Sequence, residues 1–178
     1  MRSVVQRALP DGPEGARDDA RMREMLSRPN PGPVADRLAL LHFTGRRTGR
    51  PYTVPVGVHQ LGGGLAVASA SRWRHNFAGG ADGELTWRGE RRPVRCTLVT
   101  DAERTARGYL ELYERYGAAA ARRLGISVSG EQAPGLEEFR DAVDTHGLSL
   151  VEVLLAQRPG GGALAPGTSD TANERTSR

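Results

Sequence analysis

Apolar and polar residues alternate through the middle of this chain in a way that favours strands over helices. Leu38-Ala39-Leu40-Leu41-His42-Phe43-Thr44 is a mostly apolar run that stops at a glycine turn. Over residues 50–60 the period is two, with Tyr52, Val54, Val56 and Val58 on one side and Thr53, Pro55, Gly57 and His59 on the other. Leu61-Gly62-Gly63-Gly64 reads as a hairpin turn and residues 65–70 as the next strand. Residues 84–88 and 93–100 make a further hairpin around Gly89-Glu90-Arg91-Arg92, with Val94, Cys96 and Leu98 sharing a face.

The pattern then changes period. Asp101 stands as an N-cap, and a helix is predicted to about Tyr116, with Tyr109, Leu110, Leu112, Tyr113 and Tyr116 spaced so that several share a face. Residues 136–143 predict a shorter helix, and residues 148–156 a closing strand. Before the strands, residues 15–26 form a short polar helix whose thin apolar face is Met22, Met25 and Leu26. Pro29-Asn30-Pro31-Gly32-Pro33 breaks any helix there. The expected organisation is a flexible or partly helical N-terminal arm (1–30), a barrel domain (31–157) and a disordered C-terminal tail (158–178) rich in Gly, Ala, Ser and Thr. Short strands joined by glycine turns, with no long helices between the early ones, predict a mainly β fold with α elements (α+β). They form a closed or half-closed barrel rather than a doubly wound sheet.

Composition narrows the chemistry. The chain has 178 residues, enough for one domain with a sizeable core, and its single cysteine, Cys96, has no internal partner. No apolar run reaches the length of a membrane span, and the first residues lack the apolar stretch of a secretory signal, so a cytoplasmic protein is expected. Weak association with a membrane surface stays open. The formal charge is +4, and all 25 basic residues are arginine. Without lysine there is neither a Schiff-base lysine nor a P-loop lysine, so an anion must be held by guanidinium forks or backbone N–H groups. No zinc-finger or RNP signature accompanies the basic charge, so no nucleic-acid partner is expected.

Two stretches carry candidate chemistry. Thr44-Gly45-Arg46-Arg47-Thr48-Gly49-Arg50 joins two predicted strands, with glycines for a tight backbone, two hydroxyls and three guanidinia. It suits a phosphate or another polyanion, although composition alone favours an ordinary polar hairpin in an arginine-rich protein. Ser69-Ala70-Ser71-Arg72-Trp73-Arg74-His75-Asn76-Phe77 follows a strand directly, and Trp73 and Phe77 share one face of a helical turn. That stretch reads equally as the lining of a flat-ring pocket or as a plug for the barrel end. His42, His59, His75 and His146 have no metal-ligand spacing, Cys96 on an apolar face is core rather than nucleophile, and no Gly-x-Ser-x-Gly elbow or dinucleotide fingerprint is present.

In order along the chain, Thr-Gly-Arg-Arg-Thr-Gly-Arg-Pro, the strand with Pro55, Ala68-Ser69 and Trp73-x-x-Asn76 resemble the deazaflavin-dependent nitroreductase family. The resemblance covers roughly residues 38–100. It implies a split β-barrel of the FMN-binding type and coenzyme F420, with FMN as the alternative cofactor. On that resemblance the anionic tail lies on Arg46, Arg47, Thr48 and Gly49. The strand Tyr52, Thr53, Val54 and Pro55 borders the cofactor, Ala68 and Ser69 match the strand end, and Trp73 and Asn76 stand beside the ring. Tyr113 or Tyr116 would face the substrate. Only Ala70-Ser71-Arg72 separates Ser69 from Trp73, where members of the family carry a longer loop with a lysine, so Arg72 or Arg74 would replace that cation. The implied activity is hydride transfer from F420H2 to a small-molecule acceptor such as a quinone, an activated alkene or a nitro compound. The alternatives are an FMN-binding reductase or oxidase and a non-catalytic barrel for a cofactor or lipid. The protein is expected to be a monomer or a homodimer, with no metal.

Overall fold

The computed structural model describes residues 3–8 and 13–156. Six strands form a closed, fully antiparallel barrel: β2 (Leu38–Thr44), β3 (Pro51–Leu61), β4 (Gly64–Ser69), β5 (Ala81–Trp87), β6 (Glu90–Leu98) and β8 (Ser149–Leu155). Around the barrel the order is β2-β3-β4-β8-β6-β5. The fold is therefore α+β with a closed barrel at its centre, as the alternation predicts. Closure leaves the barrel without open strand edges.

Alternation decides which side chains enter. Ala39, Leu41 and Phe43 of β2 face inward, opposite Val56 and Val58 of β3, and Val151 and Val153 of β8 close the same core. Cys96 is wholly buried in this core, and burial pushes its thiol up to about 12, so it packs as an apolar residue. Phe77, also fully buried, caps this core from a 3-10 turn over Arg72–Phe77.

The helices cover the outer face. α2 (Ala102–Tyr116) is capped by Asp101, whose carboxylate accepts the Arg104 N–H at 3.1 Å. Its buried side, Tyr109 and Leu112, packs with Leu148 and Leu150 and with Phe139 of α4 (Leu136–His146). The Tyr109 hydroxyl donates to the Ser149 carbonyl at 3.0 Å.

Three elements are not visible in the hydrophobic pattern. A strand β1 (Val4–Arg7) pairs antiparallel with β7 (Ile126–Ser129), and α3 (Ala120–Leu124) leads into β7. Val5 and Ile126 join the α2–α4 core, so the chain's first described residues are built into the body. α1 (Pro13–Leu26) places Leu26 against Ala35 and Leu40, with Met22 beside them. After α1 the chain touches the β5–β6 turn at Gly89, where φ is +78° and a Cβ would collide with the Pro29 carbonyl oxygen. The expected tail, 158–178, lies outside the described residues.

Candidate functional site

The Thr44–Arg50 loop connects β2 to β3, where Thr44 pairs with Pro51. It closes on itself: the Gly45 N–H donates to the Arg50 carbonyl at 2.8 Å and the Gly49 N–H to the Gly45 carbonyl at 2.9 Å. Gly49 adopts φ +67°, which glycine takes without strain. Gly45 is required for a different reason. A Cβ there would lie 2.6 Å from Thr48 Oγ1 and 2.7 Å from the Tyr52 ring. Gly45→Ala is therefore expected to destabilise the protein by about 1–3 kcal/mol through overpacking. Urea unfolding checks this, and an unchanged midpoint would contradict the contact.

The Arg50 N–H donates to Thr48 Oγ1 at 3.3 Å, and the Arg46 N–H reaches Asn76 Oδ1 at 2.8 Å. Four of the loop's amides thus bond within the protein. The backbone N–H groups of Arg47 and Thr48, at the tip of the loop, are not among these four.

The second wall is the 3-10 turn that follows β4. The Ser71 N–H donates to Ser69 Oγ at 3.1 Å, and Arg74 Nη1 donates to the Ala70 and Ser71 carbonyls at 2.8 and 2.9 Å. Arg74 is thereby committed to holding the turn, and burial lowers its pKa. Asn76 Nδ2 donates to the Trp73 carbonyl at 2.8 Å. Trp73 and Phe77 meet edge to face at 5.9 Å, and both rings contact Phe43, at 6.1 and 5.3 Å. Tyr52 stacks on Phe43 at 5.5 Å.

Between these walls lies a cleft of about 710 Å³, within the range of roughly 300–1,000 Å³ common to ligand sites. Arg46, Arg47, Thr48, Tyr52, Trp73 and Asn76 of the sequence candidates line it. Phe43, Arg72 and His75 line it as well. Phe43 could have been found from the pattern, being the last inward residue of its strand. Arg47, Arg72 and His75 have no ion-pair or side-chain hydrogen-bond partner among the described residues, so the cleft presents unneutralised donors beside an aromatic surface.

The other sequence candidates lie elsewhere. Gly49 shapes the loop without lining the cleft. Thr53 faces outward, its Oγ1 3.0 Å from His42 Nδ1, while His42 Nε2 stands 2.7 Å from Thr86 Oγ1. Val54 packs in the barrel core, and Pro55 pairs with Leu40. Ala68 packs on the helix side, and Ser69 supports the turn. Tyr113 and Tyr116 are also away from the cleft. Tyr113 packs on Phe139 at 5.7 Å, and the Tyr116 hydroxyl lies 2.7 Å from His59 Nδ1 under the Arg123 guanidinium.

A second groove, of about 500 Å³, runs between α2 and the outer face of β4, β8 and β6. Its arginines are neutralised: Arg95 pairs with Asp82, Arg104 with Glu152 and Arg107 with Glu103. The Arg47 and Arg72 guanidinia of the Phe43–Trp73 cleft are not paired in this way among the described residues. Among the described residues, no three His, Cys, Asp or Glu side chains come together, and no helix is long and apolar enough to cross a membrane.

No family model matches the chain, and no curated protein does. Several solved structures are similar in shape. One is the heme storage protein HutZ of Vibrio cholerae, with a TM-score of 0.41, 13% identity, and coverage of 78% of this chain and 90% of that one. Another is a pyridoxamine 5'-phosphate oxidase-related, FMN-binding protein of Nostoc punctiforme, with a TM-score of 0.44, 14% identity, and coverage of 76% and 79%. A third is the FAD and heme binding protein of Mycobacterium smegmatis, with a TM-score of 0.38, 20% identity, and coverage of 76% and 65%. The residues of the cleft, not these likenesses, carry the functional reading.

Proposed function

We propose that the cleft binds a phosphate-bearing flavin-type cofactor and that the protein is an F420H2-dependent reductase of small electron-poor acceptors: quinones, activated alkenes or nitro compounds. One observation carries this reading. Two motifs 30 residues apart in the chain meet through the 2.8 Å bond from the Arg46 N–H to Asn76 Oδ1, and their meeting makes one cleft with an aromatic wall and a cationic rim.

The residues present fit such a group. Tyr52 and Trp73, both in contact with Phe43, offer apolar ring surface for a flat heterocycle, while Arg47 and Arg72 offer forked donors suited to a phosphate. Bound F420H2 would supply the hydride; the protein supplies orientation and electrostatics. Phe77, sealed beneath Trp73, keeps water from the inner side of that ring. Tyr52 Oη, 3.3 Å from Thr48 Oγ1, places a hydroxyl in the cleft. No cleft side chain is assigned as an obligatory acid.

FMN on the same residues is the second reading. It is favoured by the short connection from Ser69 to Trp73, which lacks the longer loop and the lysine that the resemblance associates with F420. Anaerobic oxidation of F420H2 by a menadione-type quinone tests the activity. Protein-dependent turnover that saturates in both reactants is expected, falling at least about tenfold in Trp73→Ala with loss of the stacking wall. Binding without turnover would overturn the enzyme reading and leave a cofactor carrier.

A further inference from the structure

The cleft's polar residues divide into those that are engaged and those that are free. Arg46 is tied to the opposite wall twice: its backbone N–H donates to Asn76 Oδ1 at 2.8 Å, and its Nη1 donates to the Ala78 carbonyl at 3.2 Å. Asn76 is satisfied at both ends of its amide, since Oδ1 accepts from Arg46 and Nδ2 donates to Trp73. An N–H at one end and a carbonyl at the other leave a single orientation for the side chain. Thr48 Oγ1 is likewise occupied, by the Arg50 N–H and the Tyr52 hydroxyl. Arg47 on the loop and Arg72 on the 3-10 turn have no such partners among the described residues, and both line the cleft.

We propose that Arg46 and Asn76 are positioning residues that set the distance between the two walls, and that Arg47 and Arg72, one from each wall, contact the ligand's anionic group. The proposal rests on the reading of this cleft as a ligand site. It also revises the sequence expectation, in which Arg46 itself held the anion. The ligand class follows: a flat ring carrying a phosphate ester, the ring against Tyr52 and Trp73 and the phosphate between two guanidinia. Arg74 does not share this task, because its donors hold the Ala70 and Ser71 carbonyls.

The test compares each cofactor with its phosphate-free ring alcohol, riboflavin for FMN and the deazaflavin counterpart for F420. Arg47→Ala and Arg72→Ala should each weaken the phosphate-bearing ligand about 10- to 100-fold and leave the ring alcohol within about threefold. Arg46→Ala, which removes the bond to the Ala78 carbonyl, and Asn76→Ala, which removes the bond from the Arg46 N–H, should each weaken both ligands by a similar factor, and the double variant more than either single one, because each breaks a separate tie between the walls. Circular dichroism at the titration temperature confirms that each variant is folded. Loss of the phosphate-bearing ligand alone in Arg46→Ala would overturn the assignment.

A second arm uses inorganic pyrophosphate and the unfolding temperature of the protein. Pyrophosphate should raise it in a salt-sensitive way, with the shift abolished in Arg47→Ala and Arg72→Ala and kept in Arg46→Ala. That pattern without any binding of F420 or FMN would retain the clamp and reject the cofactor reading. No shift in the unaltered protein, or an equal shift in Arg47→Ala and Arg72→Ala, would reject the clamp.

Discussion

Replacing Phe77 by alanine should remove about 3–5 kcal/mol of folding stability, the range for truncating a fully buried aromatic residue. The side chain is 0% exposed and sits at the junction of the barrel core and the cleft. It meets Phe43 at 5.3 Å and Trp73 at 5.9 Å, both nearly edge to face. Removing it leaves a cavity under the ring wall, so Trp73 loses the contact that fixes its plane. Binding of any flat-ring ligand should therefore fall even at temperatures where the variant remains folded. Phe77→Leu, which refills most of the volume, should recover much of the stability and less of the binding, because leucine presents no ring edge to Trp73. Urea unfolding gives the stability and ligand titration the affinity. A loss below about 1 kcal/mol in Phe77→Ala would show that the barrel mouth is not packed as described.

His59 should make the protein sensitive to mild acid. It is 2% exposed, its Nδ1 lies 2.7 Å from the Tyr116 hydroxyl, and its Nε2 is buried without a partner. Burial first, and then the nearby Arg123 and Arg115 guanidinia, together push its pKa down to about 4. The ordinary value is 6.5, so between these two values the unfolded chain takes up a proton that the folded protein refuses. The stability due to this site is complete above pH 6.5 and is lost as the pH falls towards 4. The loss is about 1.4 kcal/mol per unit, or about 3 kcal/mol in all. His59→Phe should flatten this dependence, since no proton is then exchanged at the site. Urea unfolding at pH 7 and pH 5 is expected to show a decline steeper by about 2 kcal/mol in the unaltered protein than in His59→Phe. Parallel profiles would contradict the buried neutral histidine. Glu84 and Glu103, held below the usual carboxylate range by Arg91 and Arg140, contribute in both proteins and cancel in the comparison.

Much of the barrel can be read from period and punctuation. Val54, Val56 and Val58 are the inward face of β3, Tyr52 of the same alternation lies in the cleft, and Gly62-Gly63 turns β3 into β4. Asp101 caps α2 where the change of period places it. β1 and β7 leave almost no trace, because a pair of four-residue strands is set by its contacts with α4 and each other rather than by its own pattern. The same distinction governs the site. Arg46 and Arg47 are neighbours of identical type, and nothing local separates them. Their roles diverge because Asn76 and Ala78, some 30 residues away, take up Arg46 alone. Tyr113 and Tyr116 show genuine helical spacing, but that spacing serves Phe139 and His59 rather than the cleft.

We hold the Arg47–Arg72 cleft to be a cofactor site. Fluorescence titration of the purified protein with F420 and, separately, with FMN tests it most directly, with Trp73→Ala as the control. Saturable binding of one of the two at one site per chain is predicted, weakened by added salt and by Trp73→Ala. Tight binding of F420 alone would support the reductase reading, and tight binding of FMN alone the second reading. If neither ligand binds at low salt to a folded sample, the cleft is not a flavin or deazaflavin site.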